Sequence, residues 1–148
     1  MSCIRTTSSH TDFKTLVALL DNELAQRDGD EHAFYHQFNS STDLQQCVVL
    51  YEDSKPVGCG AIKMFAPTSV EVKRMYVLDS QRGKGLATQV LLHLETWAKE
   101  LGNKRCILET GIRQPEAIAL YKKNGYVQIP NYGQYIGIEN SVCFEKLL

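Results

Sequence analysis

A short glycine-bearing loop between two strongly patterned segments constrains this chain more than any other feature. The apolar run at 70–78 predicts a strand, and the regular leucine and valine spacing at 86–101 predicts a helix that Gly102 ends. Another apolar run of strand length follows at 106–109. A strand, a loop, a helix and a second strand in this order predict a crossover that places the two strands parallel in one sheet.

The remaining segments predict further strands on either side of this unit. We expect strands at 2–7, 47–51, 57–65, 126–129 and 142–147, a helix capped by Thr11, and a helix over Pro115–Lys123. Residues 28–45 are polar and ambiguous, with one more short helix at 31–38 as an option. Three consecutive strands before the loop indicate an antiparallel meander. The expected fold class is α/β (α+β), with a mixed, mostly antiparallel central sheet of about seven strands and helices on both faces.

Composition narrows the class of protein. The 148 residues suit one domain spanning 1–148, and 43% hydrophobic with 22% charged residues is typical of a soluble globular chain. A net charge of −1 gives no basic surface for nucleic acid. No apolar run approaches the roughly 18 residues of a membrane helix, and the first residues lack the apolar core of a signal peptide. We therefore expect a cytoplasmic protein without nucleic-acid or membrane partners.

The cysteines and histidines do not predict a metal site. His32 and His36 are four residues apart, but no acidic residue or cysteine stands at matching spacing, so we expect a chance surface pair and no metal. The cysteines are odd in number and include no C-x-x-C pair. We expect small buried residues in a reducing compartment at Cys3, Cys47, Cys59, Cys106 and Cys143.

The loop itself has the composition of an anion site. Gly83 and Gly85 allow the backbone to turn tightly and to approach a ligand without a Cβ in the way. The free N–H groups at the start of the following helix lie at the positive end of its dipole. Arg82 and Lys84 add positive charge. A phosphate-binding turn is one interpretation, and a glycine-rich turn that merely begins a helix is the other.

Three phosphate-binding patterns compete for this loop. The P-loop pattern G-x-x-x-x-G-K-[ST] is absent. The dinucleotide pattern would need Gly or Ala at Thr88; Glu109 could supply its acidic residue, but antiparallel strands before the loop do not suit that fold. The third pattern, R-x-x-G-x-A, is that of the pyrophosphate loop of acetyl-CoA enzymes, and it matches at Arg82, Gly85 and Ala87.

Three segments together resemble one enzyme superfamily. They are Glu71-Val-Lys-Arg-Met-Tyr-Val77, the loop at 82–87, and Glu116-Ala-Ile-Ala-Leu-Tyr-Lys-Lys-Asn-Gly-Tyr126. Their sequence and order resemble the GNAT superfamily of N-acetyltransferases, and the order of elements agrees over essentially the whole chain. The resemblance implies acetyl-CoA as co-substrate and, by analogy, a homodimer.

The resemblance also implies a set of cofactor-binding residues. The strand that carries Met75, Tyr76 and Val77 would pair its backbone with the pantetheine arm, as if the arm were another strand. Gln114 stands where many members have an asparagine that contacts the cofactor. The loop and helix start would hold the pyrophosphate; they comprise Arg82, Gly83, Lys84, Gly85, Leu86, Ala87 and Thr88.

Tyr121 and Glu71 stand where family members place catalytic groups. Tyr121 would protonate the leaving thiolate, the N–H of Val77 would polarise the carbonyl, and Glu71 would act as general base. A base is needed because an alkylamine with a pKa of about 10.4 is mostly protonated at pH 7, and forming the neutral amine costs roughly 4.6 kcal/mol. From the residues alone, Tyr121 could instead be core packing, and Glu71 could form a solvent-facing charge pair with Lys73.

The residues that would bind the acceptor amine are the least clearly indicated by the sequence. An acidic group in the first helix and the following loop suits a cationic amine, but it is also typical of a solvated helix face. The aromatic residues nearby could line an acceptor pocket or belong to ordinary packed loops, and we expect Tyr132 or Tyr135 in the pocket. The acidic residues are Glu23, Asp28, Asp30 and Glu31; the other aromatic residues are Phe34 and Tyr35.

The expected function is transfer of an acetyl group from acetyl-CoA to a primary amine on a small molecule, by direct attack with general base and general acid assistance. One alternative is a protein or peptide acceptor. Another, from a different class, is a non-catalytic acyl-CoA sensor or interaction module, because a fold alone does not assign a function.

Overall fold

Seven strands and three α-helices make up the residues that the computed structural model describes, which are 1–31 and 43–148. In chain order they are β1 (Ser2–Thr6), α1 (Thr11–Asp28), β2 (Gln46–Glu52), β3 (Lys55–Ala66), β4 (Ser69–Val77), α2 (Leu86–Glu100), β5 (Arg105–Gly111), α3 (Pro115–Lys123), β6 (Val127–Ile129) and β7 (Ser141–Leu147). The strands and the second and third helices end within two residues of the predicted bounds. The optional helix at 31–38 lies outside the described residues, apart from Glu31.

One sheet contains these strands in the order β1-β2-β3-β4-β5-β7-β6. Strands β2 to β4 form the expected antiparallel meander, and β1 pairs antiparallel with the outer side of β2. β4 and β5 are parallel, because α2 carries the chain back across the sheet between them. The predicted fold class, a mixed and mostly antiparallel sheet of seven strands in an α/β fold, is confirmed.

Helices cover both faces of the sheet, and β2 shows the consequence. Val48 and Leu50 belong to the core formed with α2 and α3, whereas Cys47 and Val49 belong to the core formed with α1. All four side chains are buried. A strand without a solvent face has a continuous apolar run instead of alternation, which is why the sequence signal at 47–51 was so plain.

The start of α1 differs by one residue from the prediction. His10, and not Thr11, is the N-cap: its backbone is extended, and its Nδ1 accepts a hydrogen bond from the Asp12 N–H at 3.2 Å. Thr11 is instead the first helical residue, and its carbonyl accepts from the Thr15 hydroxyl. The propensity of Thr for N-cap positions pointed to the wrong neighbour because an imidazole nitrogen serves the same purpose here.

A β-bulge interrupts β4 opposite Gly60 of β3. Between the pairs Cys59↔Tyr76 and Ala61↔Lys73, β4 has one extra residue, and Arg74 there has a φ of 59°. The bulge follows the point at which β4 and β5 stop pairing. It therefore changes the course of β4 just where the functional cleft described below begins.

Alanine at Gly60 is expected to destabilise the fold by about 1–3 kcal/mol through overpacking. A Cβ there would lie 2.8 Å from Leu94 Cδ1, 2.8 Å from Met75 Sδ and 3.0 Å from Val90 Cγ1. The matched control is Gly58→Ala in the same strand, where the nearest atoms lie at 3.3 Å. Urea unfolding of both variants measures the difference; equal midpoints would contradict the crowding at Gly60.

The cysteines are free, as expected from their spacing. Cys3 is partly exposed, and the other four are buried, which agrees with small apolar core residues. Within residues 1–31 and 43–148, no group of three or more His, Cys, Asp or Glu side chains is arranged to hold a metal ion. His32 and His36 lie outside the described residues.

Candidate active site

The sheet opens between β4 and β5. Their pairing ends at Glu71 and Ile107, although β4 continues to Val77 and β5 to Gly111. The Leu78 N–H donates to the Val57 carbonyl of β3, so backbone alternation directs the N–H of Val77 to the opposite side, toward the opening. A cavity of about 420 Å³ borders this part of β4. Unpaired strand groups beside a cavity can pair with an extended ligand.

The N-terminus of α2 borders the same cavity without a side-chain cap. Gly85 is the N-cap in the left-handed conformation, with a φ of 78°, and Gly83 has a φ of 80°. The hydrogen bond from the Gln89 N–H to the Gly85 carbonyl closes the first turn, so the amides of residues 86–88 have no intrahelical acceptor. Together with the positive end of the helix dipole, these amides can hold an anion.

Most of the cofactor-binding residues expected from the sequence line this cavity. They come from the end of β4, from the loop with the start of α2, and from the residue before α3. Lys84 is the exception: it is exposed and does not line the cavity, and its ammonium donates to Gln81 Oε1 at 2.9 Å. The expected residues that do line it are Met75, Tyr76, Val77, Arg82, Gly83, Gly85, Leu86, Ala87, Thr88 and Gln114.

Arg82 forms hydrogen bonds and an ion pair with other residues of the chain, which the sequence did not predict. Its guanidinium donates to both carboxylate oxygens of Glu23 on α1, at 2.8 and 2.9 Å, and its Nε donates to the Val77 carbonyl at 3.0 Å. The hydrogen bond from Arg82 lowers the pKa of Glu23, so the pair stays charged at neutral pH. The positive charge that Arg82 was expected to offer an anion is therefore compensated by Glu23.

A chain of ion pairs continues from Glu23 along the wall of the cavity. Arg27, one turn further along α1, pairs with Glu23 at 3.4 Å and with Glu116 in the first turn of α3. These residues and Arg82 line the cavity. The chain links α1 to the loop before α2 and to α3, the elements that surround the cavity.

A smaller cavity of about 100 Å³ adjoins the first, and Tyr121 lines both. Arg74 in its wall is already paired with Asp21 at 2.5 Å. The lining contains three carboxyl groups and two cations, and this excess of carboxyl groups favours a cationic ligand. The other ionisable side chains that line it come from α1, β4, β5, α3 and the turn Gly133–Tyr135; they are Asp28, Glu71, Lys73, Glu109, Tyr121 and Tyr135.

Glu71 lies in the smaller cavity and has two close partners. Its Oε2 accepts a hydrogen bond from the Tyr132 hydroxyl at 2.5 Å, and its Oε1 lies 3.5 Å from Lys73 Nζ. The Glu71 and Lys73 side chains are only 11% and 9% exposed. They are thus not the solvent-facing pair that the sequence left open as an alternative.

Tyr121 lies where the two cavities meet. Its ring packs against Tyr126, with centroids 5.7 Å apart, and lies 6.3 Å from the ring of Phe144. Burial raises the pKa of Tyr121, and the charge of Glu109 makes a smaller contribution in the same direction. The hydroxyl therefore keeps its proton at neutral pH and remains a hydrogen-bond donor. The two interpretations of Tyr121 are compatible, since its ring contributes to the core while the residue lines both cavities.

Glu109 is the site residue that sequence reasoning missed. It lies on β5 two residues beyond the last β4–β5 pair and lines the smaller cavity. The pKa of Glu109 is raised to about 7, and burial is the largest cause. A hydrogen bond with Ser141 lowers this pKa, whereas the charges of Glu71 and Asp28 raise it. The signal in the sequence is an acidic residue at the end of an apolar strand, for which the dinucleotide pattern offers the only interpretation given above.

The two tyrosines of the loop at 130–137 take different positions. Tyr135 lines the smaller cavity and is 2% exposed, whereas Tyr132 reaches Glu71. Their rings pack edge-on with centroids 5.8 Å apart, and burial raises the pKa of both. Tyr135 is therefore part of the wall of the smaller cavity, whereas Tyr132 contacts Glu71 without lining that cavity. Phe34 and Tyr35 lie outside the described residues.

Comparison with known proteins decides the family. The sequence model of the Acetyltransferase (GNAT) family matches residues 13–126, which is more than half of the chain. The chain belongs to the GNAT family of acetyltransferases. The match covers the first helix, the meander, the glycine-bearing loop and the helix that carries Tyr121, so the resemblance seen in the sequence is confirmed.

Curated relatives of this GNAT chain match it over part of their length. An IAA acetyltransferase of Azospirillum brasilense is 38% identical over 93 residues, which is 62% of this chain and 61% of the relative. An uncharacterized N-acetyltransferase of Escherichia coli, YjgM, is 42% identical over 84 residues, 55% of this chain and 50% of the relative. The chain thus spans only about half to three-fifths of the length of these two relatives.

Solved structures share the whole fold. A Klebsiella pneumoniae protein assigned to the acyl-CoA N-acyltransferases is 30% identical, with a TM-score of 0.83, and the match covers 99% of this chain and 97% of that one. The PaiA N-acetyltransferase of Thermoplasma acidophilum, solved in complex with coenzyme A, has a TM-score of 0.68 at 18% identity, with 100% of both chains covered. The second likeness shows the fold alone. Within the described residues, no helix is both long and apolar enough to cross a membrane.

Proposed function

We propose that this GNAT chain transfers an acetyl group from acetyl-CoA to a primary amine on a small molecule. The observation that carries the proposal is the joined pair of cavities, with an uncapped helix N-terminus at the larger one and an acidic lining in the smaller one. The larger cavity suits a diphosphate joined to an extended arm that bears amides, and the smaller cavity suits an ammonium group.

The residues present fit acetyl-CoA, which would supply an activated thioester carbonyl. The amides of residues 83–88 would bind the pyrophosphate, and the backbone of Met75 and Val77 would pair with the two amides of the pantetheine arm. The N–H of Val77, which is directed toward the opening, would polarise the thioester carbonyl. Tyr121 would donate its hydroxyl hydrogen to the departing thiolate sulfur.

The smaller cavity supports a compact acceptor. Its volume of about 100 Å³ suits the end of a small amine, and its lining has three carboxyl groups, Asp28, Glu71 and Glu109, against two cations. Tyr135 narrows the cavity from the side of the loop at 130–137. A protein acceptor would need an open groove, and the limited space favours a small molecule over that alternative.

Thiol release from acetyl-CoA across a panel of amines tests the proposal. The panel pairs short alkylamines, amino acids and polyamines with intact proteins and N-terminal peptides, and calorimetry measures acetyl-CoA binding separately. We expect one-site binding of acetyl-CoA and turnover with compact cationic amines. Turnover of proteins alone would favour the protein acceptor, and binding without any turnover would favour the non-catalytic sensor.

A further inference from the structure

Glu109 has an oxygen with no partner in the protein. Its Oε2 is buried and accepts no hydrogen bond within residues 1–31 and 43–148, although the carboxyl group also contacts Ser141. A buried acceptor without a partner is unfavourable unless a bound molecule satisfies it. Because Glu109 lies beyond the last β4–β5 pair and lines the smaller cavity, that molecule would be the one held in the cavity.

Glu71, the other carboxylate on the open strands, is differently placed. Its Oε2 already accepts the Tyr132 hydroxyl at 2.5 Å, and its Oε1 is near Lys73. Both oxygens of Glu71 are thus engaged by protein groups, whereas Glu109 Oε2 has no protein partner among the described residues. The contacts of Glu71 instead fix the orientation of its carboxylate and join the loop at 130–137 to β4.

We infer that Glu109, rather than Glu71, is the carboxylate that removes the proton from the acceptor's ammonium group, and that Glu71 is a positioning residue. The inference rests on the proposed acetyl transfer to an amine and competes with the sequence-based prediction that Glu71 is the base. It also rests on Tyr121, which lines the same cavity as Glu109 and interacts electrostatically with it. The base Glu109 and the acid Tyr121 would thus lie beside the same cavity.

The surroundings of Glu109 suit this role. Burial raises its pKa to about 7, the range in which a general base works best at neutral pH. Above that pH the carboxylate is charged and can take a proton; below it the group is already protonated. The groups that interact with it from the elements packed around the cavity are Asp28 of α1, Glu71 and Lys73 of β4, Tyr121 of α3, Tyr135 of the Gly133–Tyr135 turn, and Ser141 and Cys143 of β7.

The protons and bonds balance in the following way. One proton passes from the ammonium to Glu109 Oε2, and the neutral nitrogen attacks the thioester carbonyl carbon. A carbon–nitrogen bond forms and the carbon–sulfur bond breaks. The second proton from nitrogen reaches the sulfur, with the Tyr121 hydroxyl donating to it, and Glu109 releases its proton to solvent. The products are the amide, the free thiol of coenzyme A and one proton.

Two small amines separate the role of a base from a structural role. Propylamine is protonated at pH 7 and needs a base, whereas methoxyamine is already neutral. We expect Glu109→Gln to lower kcat/KM for propylamine by about 100-fold and for methoxyamine by less than about threefold. Glu71→Gln, which only disturbs positioning, should lower both values by a similar factor. Glu145→Gln, a carboxylate paired with Arg105 away from the cavities, should leave both within about twofold.

Other outcomes have distinct meanings. An equal loss for both amines in Glu109→Gln, or a selective loss for propylamine in Glu71→Gln, would overturn the assignment while leaving acetyl transfer intact. Wild-type protein that binds acetyl-CoA in calorimetry but acetylates neither amine would instead overturn the proposed transfer to small amines, and this inference with it. Unchanged acetyl-CoA affinity in Glu109→Gln would show that the variant still has an intact cofactor site.

Discussion

Replacing Tyr121 by phenylalanine is expected to lower kcat by at least about 100-fold while the Kd for acetyl-CoA changes by less than about twofold. The ring stays in its place against Tyr126 and Phe144, so the packing of α3 is retained. What is lost is the hydroxyl of a residue that lines both cavities; burial raises the pKa of this hydroxyl, which therefore keeps its hydrogen for donation. Steady-state kinetics and calorimetry on the same preparation measure both quantities.

Tyr126→Phe is the matched control. Tyr126 loses the same atom, but its hydroxyl donates to the buried carboxylate of Glu95 at 2.8 Å and the residue lines neither cavity. We expect this variant to lose about 1–3 kcal/mol of unfolding free energy and to keep its kcat within about threefold. If Tyr121→Phe instead weakened acetyl-CoA binding and left turnover unchanged, the hydroxyl would be a binding group and its role in the transfer step would be wrong.

Glutamate at Gly85 is expected to raise the Kd for acetyl-CoA by at least about 100-fold. The left-handed conformation at this position, with a φ of 78°, is unfavourable for any residue with a Cβ. The new carboxylate would also compete for the unpaired amides at residues 86–88 and repel a diphosphate. Calorimetric titration with acetyl-CoA measures the loss.

Gly102→Glu separates the two causes of this loss. Gly102 has a φ of 88°, and a Cβ there would also meet open space, but the residue follows the opposite end of α2. Comparable backbone strain is therefore introduced away from the cavity. We expect similar melting temperatures for the two variants and normal acetyl-CoA affinity for Gly102→Glu. Normal affinity in Gly85→Glu would mean that the pyrophosphate does not bind at the start of α2.

The parts of the site that the sequence predicted are those that depend on local pattern. Gly83 and Gly85 stand between a strand and a helix, so the chain direction reverses there whatever else is present. Tyr121 belongs to a nine-residue helix that begins with Pro115 and is followed by Gly125, and local signals mark both ends. At these two places short-range geometry positions the backbone, and the prediction and the structure agree.

The parts that were not predicted depend on contacts between distant residues. Arg82 and Glu23 are 59 positions apart, and nothing in either segment indicates that they meet. The position of Glu109 depends on the early end of β4–β5 pairing, which follows from the register of two strands and not from the pattern within either. The same holds for the hydrogen bond from Tyr132 to Glu71, which spans 61 positions.

The four buried cysteines are protected from thiol reagents as long as the fold stays closed. Burial raises the pKa of Cys47 and Cys59 to about 12, and that of Cys106 and Cys143 to about 11. At neutral pH a thiol with a pKa of about 12 is a thiolate for roughly one part in 100,000 of the time, and only the thiolate reacts with alkylating agents. Modification of these sulfurs must therefore wait for exposure, so the rate of their labelling in native protein reports how often the packing around each of them opens.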